Sequence, residues 1–434
     1  MNEVILPIAI FVIVYVLISF ELVNKVVAAL LGVATILMLH IIDEHTAMSL
    51  VNTETLMLLL GMMVIVGILR KSGFFSLIAV KIAELTNGSP LKILLFFAII
   101  TGVLSAFLDN VTTILIIIPI VIELTIGMGL DPKIYVIAMA LISNIGGTAT
   151  LIGDPPNILI GSKVGLTFNQ FIANLIIPVI LAGTLGLLYL WFTDRKSFQP
   201  IDKDLVKLFS VQLLMEKIKH EFLSIKIDKV FLGKCLGMLI LTILLFVTQT
   251  ITSLSPGVVA LSSAMILFII TKSNVEKTLE EVEWSTLLFF VGLFIIVGTL
   301  EHVGVLEWIA HNVFIRAGTN PFVLTLLVLW VSGIVSGFLD NIPFAIVMIP
   351  IITIINQATP VPNNILWWAL SLGVCFGGNL TMIGASANIV SVGIAKRHGI
   401  HISFLDFMKK GLPVTLIALI CSSAYLMIYL WVSL

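Results

Sequence analysis

Two short polar clusters interrupt otherwise apolar sequence, and the chain contains each of them twice. Asp109 and Asn110 stand in SAFLDNVTTILIIIPI (105–120), followed by NIGGTATLIGDPPNILI (144–160). Asp340 and Asn341 stand in SGFLDNIPFAIVMIPI (336–351), followed by CFGGNLTMIGASANIVS (375–391). One offset of 231 residues superposes the copies without a gap: Asp109 on Asp340, Asn110 on Asn341, Gly146 and Gly147 on Gly377 and Gly378, Thr150 on Thr381, Asn157 on Asn388. A carboxylate in such apolar surroundings is costly, and an acid within membrane-spanning sequence is by default a candidate for a proton or ion pathway. Asp109 and Asp340 are therefore the first proton-coupling candidates. The alternative is that each only caps the helix after it, a task that Asn110 and Asn341 could share. Asp154 is the third acid; Ala385 stands at its place in the second copy, so it is either an N-cap or a group that breaks the symmetry of the site.

The breaks around these residues carry helix-start signals. Pro343 follows Asn341 by two positions, and Pro155 and Pro156 follow Asp154 directly, as suits an N-cap with proline in the first turn. Half-helix N-termini would then bring free N–H groups and positive dipole ends to one central place. Glycine at 146, 147, 377 and 378 permits unwound backbone whose carbonyls can face a ligand, although glycine pairs also serve simply to let helices approach. The segments Gly146–Gly153 and Gly377–Gly384 are expected to face each other across a substrate site. Asn110, Thr112, Thr113, Thr148, Thr150, Asn157, Asn341, Asn379, Thr381, Ser386 and Asn388 supply its donors and acceptors. Cys375 could offer a thiolate to a thiophilic metalloid, or act as a small core residue.

The elements that must hold these clusters are membrane spans. The chain has 434 residues, 59% hydrophobic and 11% charged, against about 25% charged for a soluble domain. A net charge of -1 gives no reason to expect nucleic acid as a partner. Cys235, Cys375 and Cys421 have no disulfide or zinc spacing, and no cofactor motif is present. With about 20 apolar residues per span, spans fall at 4–20, 24–42 and 54–70, then an interfacial stretch at 71–90. Two arms, 91–107 and 111–127, meet at Asp109; a Gly-interrupted span at 134–162 and a last one at 170–192 complete the half. The second half repeats the order at 230–251, 256–271, 284–301, 302–319, 321–339, 342–355, 365–395 and 412–432. A charged linker, 193–229, joins the halves.

Five spans plus a hairpin and seven spans are both odd numbers, so the second half inserts upside down relative to the first. Followed along the chain, 21 of the Lys and Arg residues fall on one side and two, Lys163 and Arg316, on the other. That places the linker in the cytoplasm and both termini outside. Two polar modules of this kind in opposed halves are the pattern of a secondary transporter built from internal repeats. A pair of intramembrane acids could also be a catalytic pair sharing one proton. Against that, each Asp belongs to its own repeat on an opposite-facing hairpin.

At SAFLDNVTT with GGTATLIGDPPN, and SGFLDNIPF with GGNLTMIGASAN, the sequence resembles the ion transporter superfamily, specifically the arsenite and antimonite efflux (ArsB) family with its relatives, the P-protein-like permeases. The GDPPN form is nearer to the P-protein-like branch. The resemblance covers essentially the whole chain. It implies an all-α polytopic membrane protein of two inverted-topology repeats, each of five transmembrane helices plus a re-entrant hairpin. Scaffold parts at 1–70 and 230–301, interfacial helices at 71–90 and 302–319, and transport parts at 91–192 and 320–434 would work as an elevator in the inner membrane. The implied function is proton-coupled efflux of arsenite or antimonite. A separate ATPase subunit and a homodimer are allowed by the same resemblance. The superfamily also contains NhaD-type sodium/proton antiporters and divalent anion/sodium symporters, so a Na⁺/H⁺ antiporter or an anion or carboxylate permease is the alternative. In the symporters a Ser-Asn-Thr motif at the hairpin tips grips a carboxylate; here an acid stands in place of the serine, which argues against a dianion.

Overall fold

The structure is a computed structural model that describes residues 2–19, 22–86, 89–195, 228–317, 320–359 and 361–433. Most of the expected 193–229 linker, with most of its basic residues, lies outside the described residues. The first half contains α1 (Asn2–Ser19), α2 (Lys25–Met38), α3 (Thr53–Lys71), α4 (Phe74–Thr86), α5 (Pro90–Phe107), α6 (Asn110–Gly127), α7 (Pro132–Gly147), α8 (Pro155–Val164) and α9 (Phe168–Thr193). The second half follows with α10 (Lys229–Val247), α11 (Pro256–Thr271), α12 (Trp284–His302), α13 (Val305–Ile309), α14 (Pro321–Ser336), α15 (Asn341–Ala358), α16 (Ile365–Gly377), α17 (Ser386–Arg397) and α18 (Phe404–Ser433). The offset of the motifs is also the offset of the helix starts. Lys25 maps on Pro256, Thr53 on Trp284, Phe74 on Val305, Pro90 on Pro321, Asn110 on Asn341 and Pro155 on Ser386.

Local chemistry explains these starts. Asn24, Asn52, Asp109, Asp131, Asp228, Ser255, Asn320 and Asp340 each accept a hydrogen bond from a backbone N–H in the first turn of the helix that follows, satisfying donors that hydrocarbon would leave unpaired. Among the described residues, eight helices are long and apolar enough to cross a membrane: α3, α5, α6, α9, α10, α12, α15 and α18. The halves differ from the expected boundaries in two places. α18 begins at Phe404 rather than near 412, because Ser403 and Asp406 exchange backbone and side-chain bonds at 3.1 Å and start the helix in charged sequence. α13 continues as a π turn, Ala310–Phe314, where α4 stays regular.

The halves interlock through their first helices. α3 packs against α11 of the other repeat, and α2 against α12. Small residues set both crossings: a Cβ on Gly61 would stand 2.6 Å from the Leu261 backbone nitrogen, and one on Gly292 would stand 2.8 Å from Ala29 Cβ. Gly61 and Gly292 are counterparts, as are Ala29 and Ala260, so one contact is made twice. The remaining helices form a second group, with α5 on α7 and α14 on α16 within each repeat. Across the repeats, α6 packs on α17, α15 on α8 and α9 on α18.

Candidate functional site

The polar clusters meet where α6, α8, α15 and α17 begin. Asp109 caps α6, accepting from Thr112 N at 2.8 Å and from the Thr112 hydroxyl. Asp340 caps α15, accepting from Ile342 N at 3.2 Å, and takes a further bond from Ser386 Oγ at 3.3 Å. Asp154 is different. It precedes α8 without making a cap bond, and its side chain is fully buried. Its Oδ1 accepts from Asn110 Nδ2 at 3.4 Å and from Asn341 Nδ2 at 3.3 Å, one amide from each hairpin tip. Its Oδ2 has no hydrogen-bond partner. The Cys375 thiol lies close by, and its hydrogen bond goes to Asn157 Oδ1 at 3.7 Å.

These residues open on a cavity of about 500 Å³. Asp109, Asn110, Asp154, Asn341 and Ser386 line it, so the starts of four helices share one space. Their dipoles favour negative charge there, and three carboxylates oppose it. Two side chains that the sequence reading passed over complete the wall. Lys25, at the start of α2, places Nζ 3.3 Å from Ser386 Oγ, 3.9 Å from Asp340 Oδ2 and 5.2 Å from the centre of the Phe289 ring. Glu283, just outside the span that begins at Trp284, accepts from Thr286 Oγ1 at 3.0 Å. Burial, and then the charge of Asp109, push its carboxyl up to about 7, against the Thr286 bond and the charge of Lys25. The repeat itself could have pointed to both: Lys25 corresponds to Pro256 and Glu283 to Asn52, so each is charged where its counterpart is not.

The rest of the expected set stands behind this wall. Asn157 donates to Thr148 O at 3.0 Å and Thr150 O at 2.9 Å, while Asn388 donates to Gly378 O at 2.8 Å and Thr381 O at 3.0 Å. The two asparagines thus do the same work in the two breaks, tying up the carbonyls that the sequence left free for a ligand. Thr150 and Thr381 bond to the carbonyls of Ala106 and Gly337, and through them each break is fastened to its own hairpin. Thr148 returns its hydroxyl to Asn144 O at 2.8 Å, and Thr113 is buried with its hydroxyl unpartnered. Asn144, which the sequence reading also missed, joins the repeats: it accepts from Asn110 at 3.0 Å and donates to Asn379 Oδ1 at 2.8 Å and Asn388 Oδ1 at 2.9 Å. Asn379 in turn reaches Leu141 O at 3.1 Å.

The glycines are placed otherwise than the expected ligand-facing segments require. A Cβ on Gly146 would stand 2.5 Å from Gly102 Cα, one on Gly377 2.8 Å from Gly333 Cα, and one on Gly147 2.6 Å from Gly153 O. Gly378 likewise faces Gly384 O at 3.0 Å. All four pack against backbone of their own repeat, and none lines the cavity. Asn144, near the end of α7, bonds to Asn379 in the second break and to Asn388 in α17, so amides rather than open space lie between these parts of the two repeats. Among the described residues no group of three His, Cys, Asp or Glu is placed to hold a metal ion.

Comparison with known proteins places this arrangement. The chain resembles the YdaH transporter of Alcanivorax borkumensis in fold, with a TM-score of 0.58 over 86% of this chain and 85% of that one, at 14% identity. It is 37% identical to an uncharacterized transporter of Mycobacterium tuberculosis over 97% of each chain, and 37% identical to a 46 kDa membrane protein of Mycobacterium leprae over 97% of this chain and 98% of that one. The human P protein is 33% identical over 96% of this chain, which spans 58% of that longer protein. The model of the citrate transporter family CitMHS matches residues 15–373. With opposed repeats, a polar centre between paired hairpins and these relatives, the chain is a multi-pass membrane transporter and belongs to the CitMHS citrate transporter family.

Proposed function

We propose that the chain is a proton-coupled secondary transporter of the inner membrane that exports a small oxygen-rich solute, with arsenite or antimonite as the specific substrate. The carrying observation is Asp154: a fully buried carboxylate between one amide from each hairpin, with one oxygen unpartnered, on a cavity shared by four helix starts. A permanently ionised group so placed would be costly, so it suits a residue that gains and loses a proton during the cycle. Arsenite is an uncharged trihydroxide at neutral pH. Neutral amides, a serine hydroxyl and helix N–H groups can meet three hydroxyls without a counter-charge. In exchange, protons move inward through Asp154 with Asp109 or Asp340.

The helix group α5–α9 with α14–α18 would move as the transport part against the interlocked α1–α3 and α10–α12 scaffold, the elevator arrangement. With both termini outside, as the charge asymmetry favours, Lys25, Glu283 and Trp284 lie at the cytoplasmic mouth of the cavity, so the described state faces inward. A homodimer and a separate ATPase subunit belong to this reading as further proposals. A second reading, a carboxylate permease, is favoured by Lys25 beside the four helix starts and by what the family is called.

Inside-out vesicles with an acidic lumen separate the readings. Arsenite accumulation that collapses when the pH gradient is dissipated supports the first. Citrate accumulation without arsenite movement replaces it with the second, and sodium-dependent proton release indifferent to both would mean Na⁺/H⁺ exchange.

A further inference from the structure

The two halves differ in one charged contact that the repeat does not copy. Lys25 belongs to α2, on the interlocked group of helices, whereas Asp340 and Ser386 begin α15 and α17 in the other group. The Lys25 ammonium reaches Ser386 Oγ at 3.3 Å and Asp340 Oδ2 at 3.9 Å, with the Phe289 ring on another side. It also separates the central cavity from a neighbouring one of about 330 Å³ lined by Tyr15, Asn24, Asp340 and Pro343; Lys25 and Ser386 line both. At the corresponding position of the first hairpin, Asp109 has no such cation: Pro256 occupies the place of Lys25, and Glu283 shares the cavity instead.

On the opposite side the groups are joined differently. Asn52 Nδ2 and Thr55 Oγ1 meet Ser162 Oγ at 2.9 Å and 2.8 Å, tying α3 to α8. Their counterparts are Glu283, Thr286 and Gly393; Gly393 has no side chain to bond, and Thr286 turns back to Glu283. The cavity therefore opens beside Lys25, and the only charged tie across that opening among the described residues is Lys25 with Asp340.

We propose that Lys25 is a tethered competitor for the coupling cation at Asp340, a latch that holds this conformation while neither proton nor solute is bound beside Asp340 and Ser386. The proposal rests on the proton-coupled reading above. While Asp340 is charged, the ammonium and carboxylate stay together and the two helix groups cannot slide. A proton on Asp340, or solute that displaces the ammonium from Ser386 and Asp340, removes the attraction and leaves Lys25 with the Phe289 ring and solvent, so the groups separate with proton or solute bound and the empty, proton-free carrier stays in place. The other titratable groups that face this pair are Tyr15 from α1, Asp109 from the first hairpin tip, Asp154 from the end of the first break, and Glu283 from the start of α12. Each enters any pH profile, so the latch is tested by conformation as well as by pH.

The test places one cysteine at Val390, which lines both cavities, and measures maleimide labelling from the Lys25 side in purified full-length protein. Protein with valine at 390 supplies the background from the three native cysteines. Lys25→Met should label more slowly by about threefold or more, as expected when a partly buried ion pair no longer biases two conformations. Lys25→Arg should restore the rate. Asp340→Asn should slow labelling as Lys25→Met does, with no further slowing in the double variant. Unchanged labelling in both single variants, or effects that add in the double, would overturn the latch. In vesicles, Lys25→Met should lose gradient-driven accumulation; full accumulation would also overturn it. If the unaltered protein shows no proton-driven flux, the functional reading fails, and the labelling series still decides whether Lys25 and Asp340 hold the conformation.

Discussion

Asp154→Asn separates charge from shape at the centre of the site. The substitution keeps the side-chain size, and its Oδ1 can still accept from Asn110 and Asn341, whose bonds are long at 3.4 and 3.3 Å. Losing the charge weakens each by about 1 kcal/mol, since a hydrogen bond to a charged group contributes roughly 1.5–3 kcal/mol and a neutral one about 0.5–1.5. Removing a fully buried carboxylate relieves a desolvation penalty of several kcal/mol. The variant should therefore melt no lower than the unaltered protein. Asp154→Ala makes the contrast: Asn110 keeps its bond to Asn144, but Asn341 Nδ2 loses the one side-chain acceptor it has, at a cost of about 1–3 kcal/mol. For one proton exchanged per solute, a gradient of one pH unit holds about a tenfold accumulation ratio, equivalent to about 1.4 kcal/mol. In proteoliposomes Asp154→Asn should bind arsenite and exchange it downhill, with the ratio falling to about 1. A ratio near ten in a well-folded Asp154→Asn protein would refute proton coupling through this acid and return the role to Asp109 or Asp340.

Glu283→Gln should flatten the pH dependence of transport around pH 7, because burial and then the charge of Asp109 push this carboxyl up to about 7 and the amide cannot titrate; initial rates from pH 5.5 to 8.5 check it. Asn157→Ala strips partners from the carbonyls of Thr148 and Thr150, and Asn388→Ala from those of Gly378 and Thr381, so each should destabilise the protein by roughly 2–5 kcal/mol, read as a lower melting temperature in detergent. Gly147→Ala brings a methyl within 2.6 Å of Gly153 O and should cost about 1–3 kcal/mol of stability, with transport per folded molecule falling less than the folded yield.

Most helices were legible in the sequence because span length, cap residues and the repeat constrain one another. The start of α15 at Asn341 follows from its Asp cap, and that of α8 from Pro155 and Pro156. The start of α18 was not legible, since Ser403 and Asp406 begin it in polar sequence where hydropathy is silent. Asp109, Asp340 and Asp154 all lie at helix starts, but which of them make cap bonds was not legible. Sequence placed Asp109 and Asp340 ahead of Asp154, whereas the structure uses the first two as caps and leaves Asp154 uncapped, because which carboxylate a cap N–H reaches is decided by backbone geometry. The packing of the glycines was not legible for a related reason: composition shows that a helix is interrupted, not which backbone the interruption lies against. Lys25 and Glu283 sit at span ends, where charge is ordinary, and only the helices that bring them over the cavity make them part of it.

The reciprocal crossings of Gly61 with the α11 backbone and of Gly292 with Ala29 also bear on how the protein is made. α2 and α3 emerge from the ribosome long before α11 and α12, and at about 5–20 residues per second the wait is roughly 10–50 seconds. During that time the surfaces around Ala29 and Gly61 have only lipid or the insertion machinery to cover them. Half a protein is thus an unfinished assembly rather than a smaller transporter. Its two halves, synthesised as separate polypeptides in one cell, should recover activity together, and either one alone should be cleared by the membrane proteases that remove orphaned subunits.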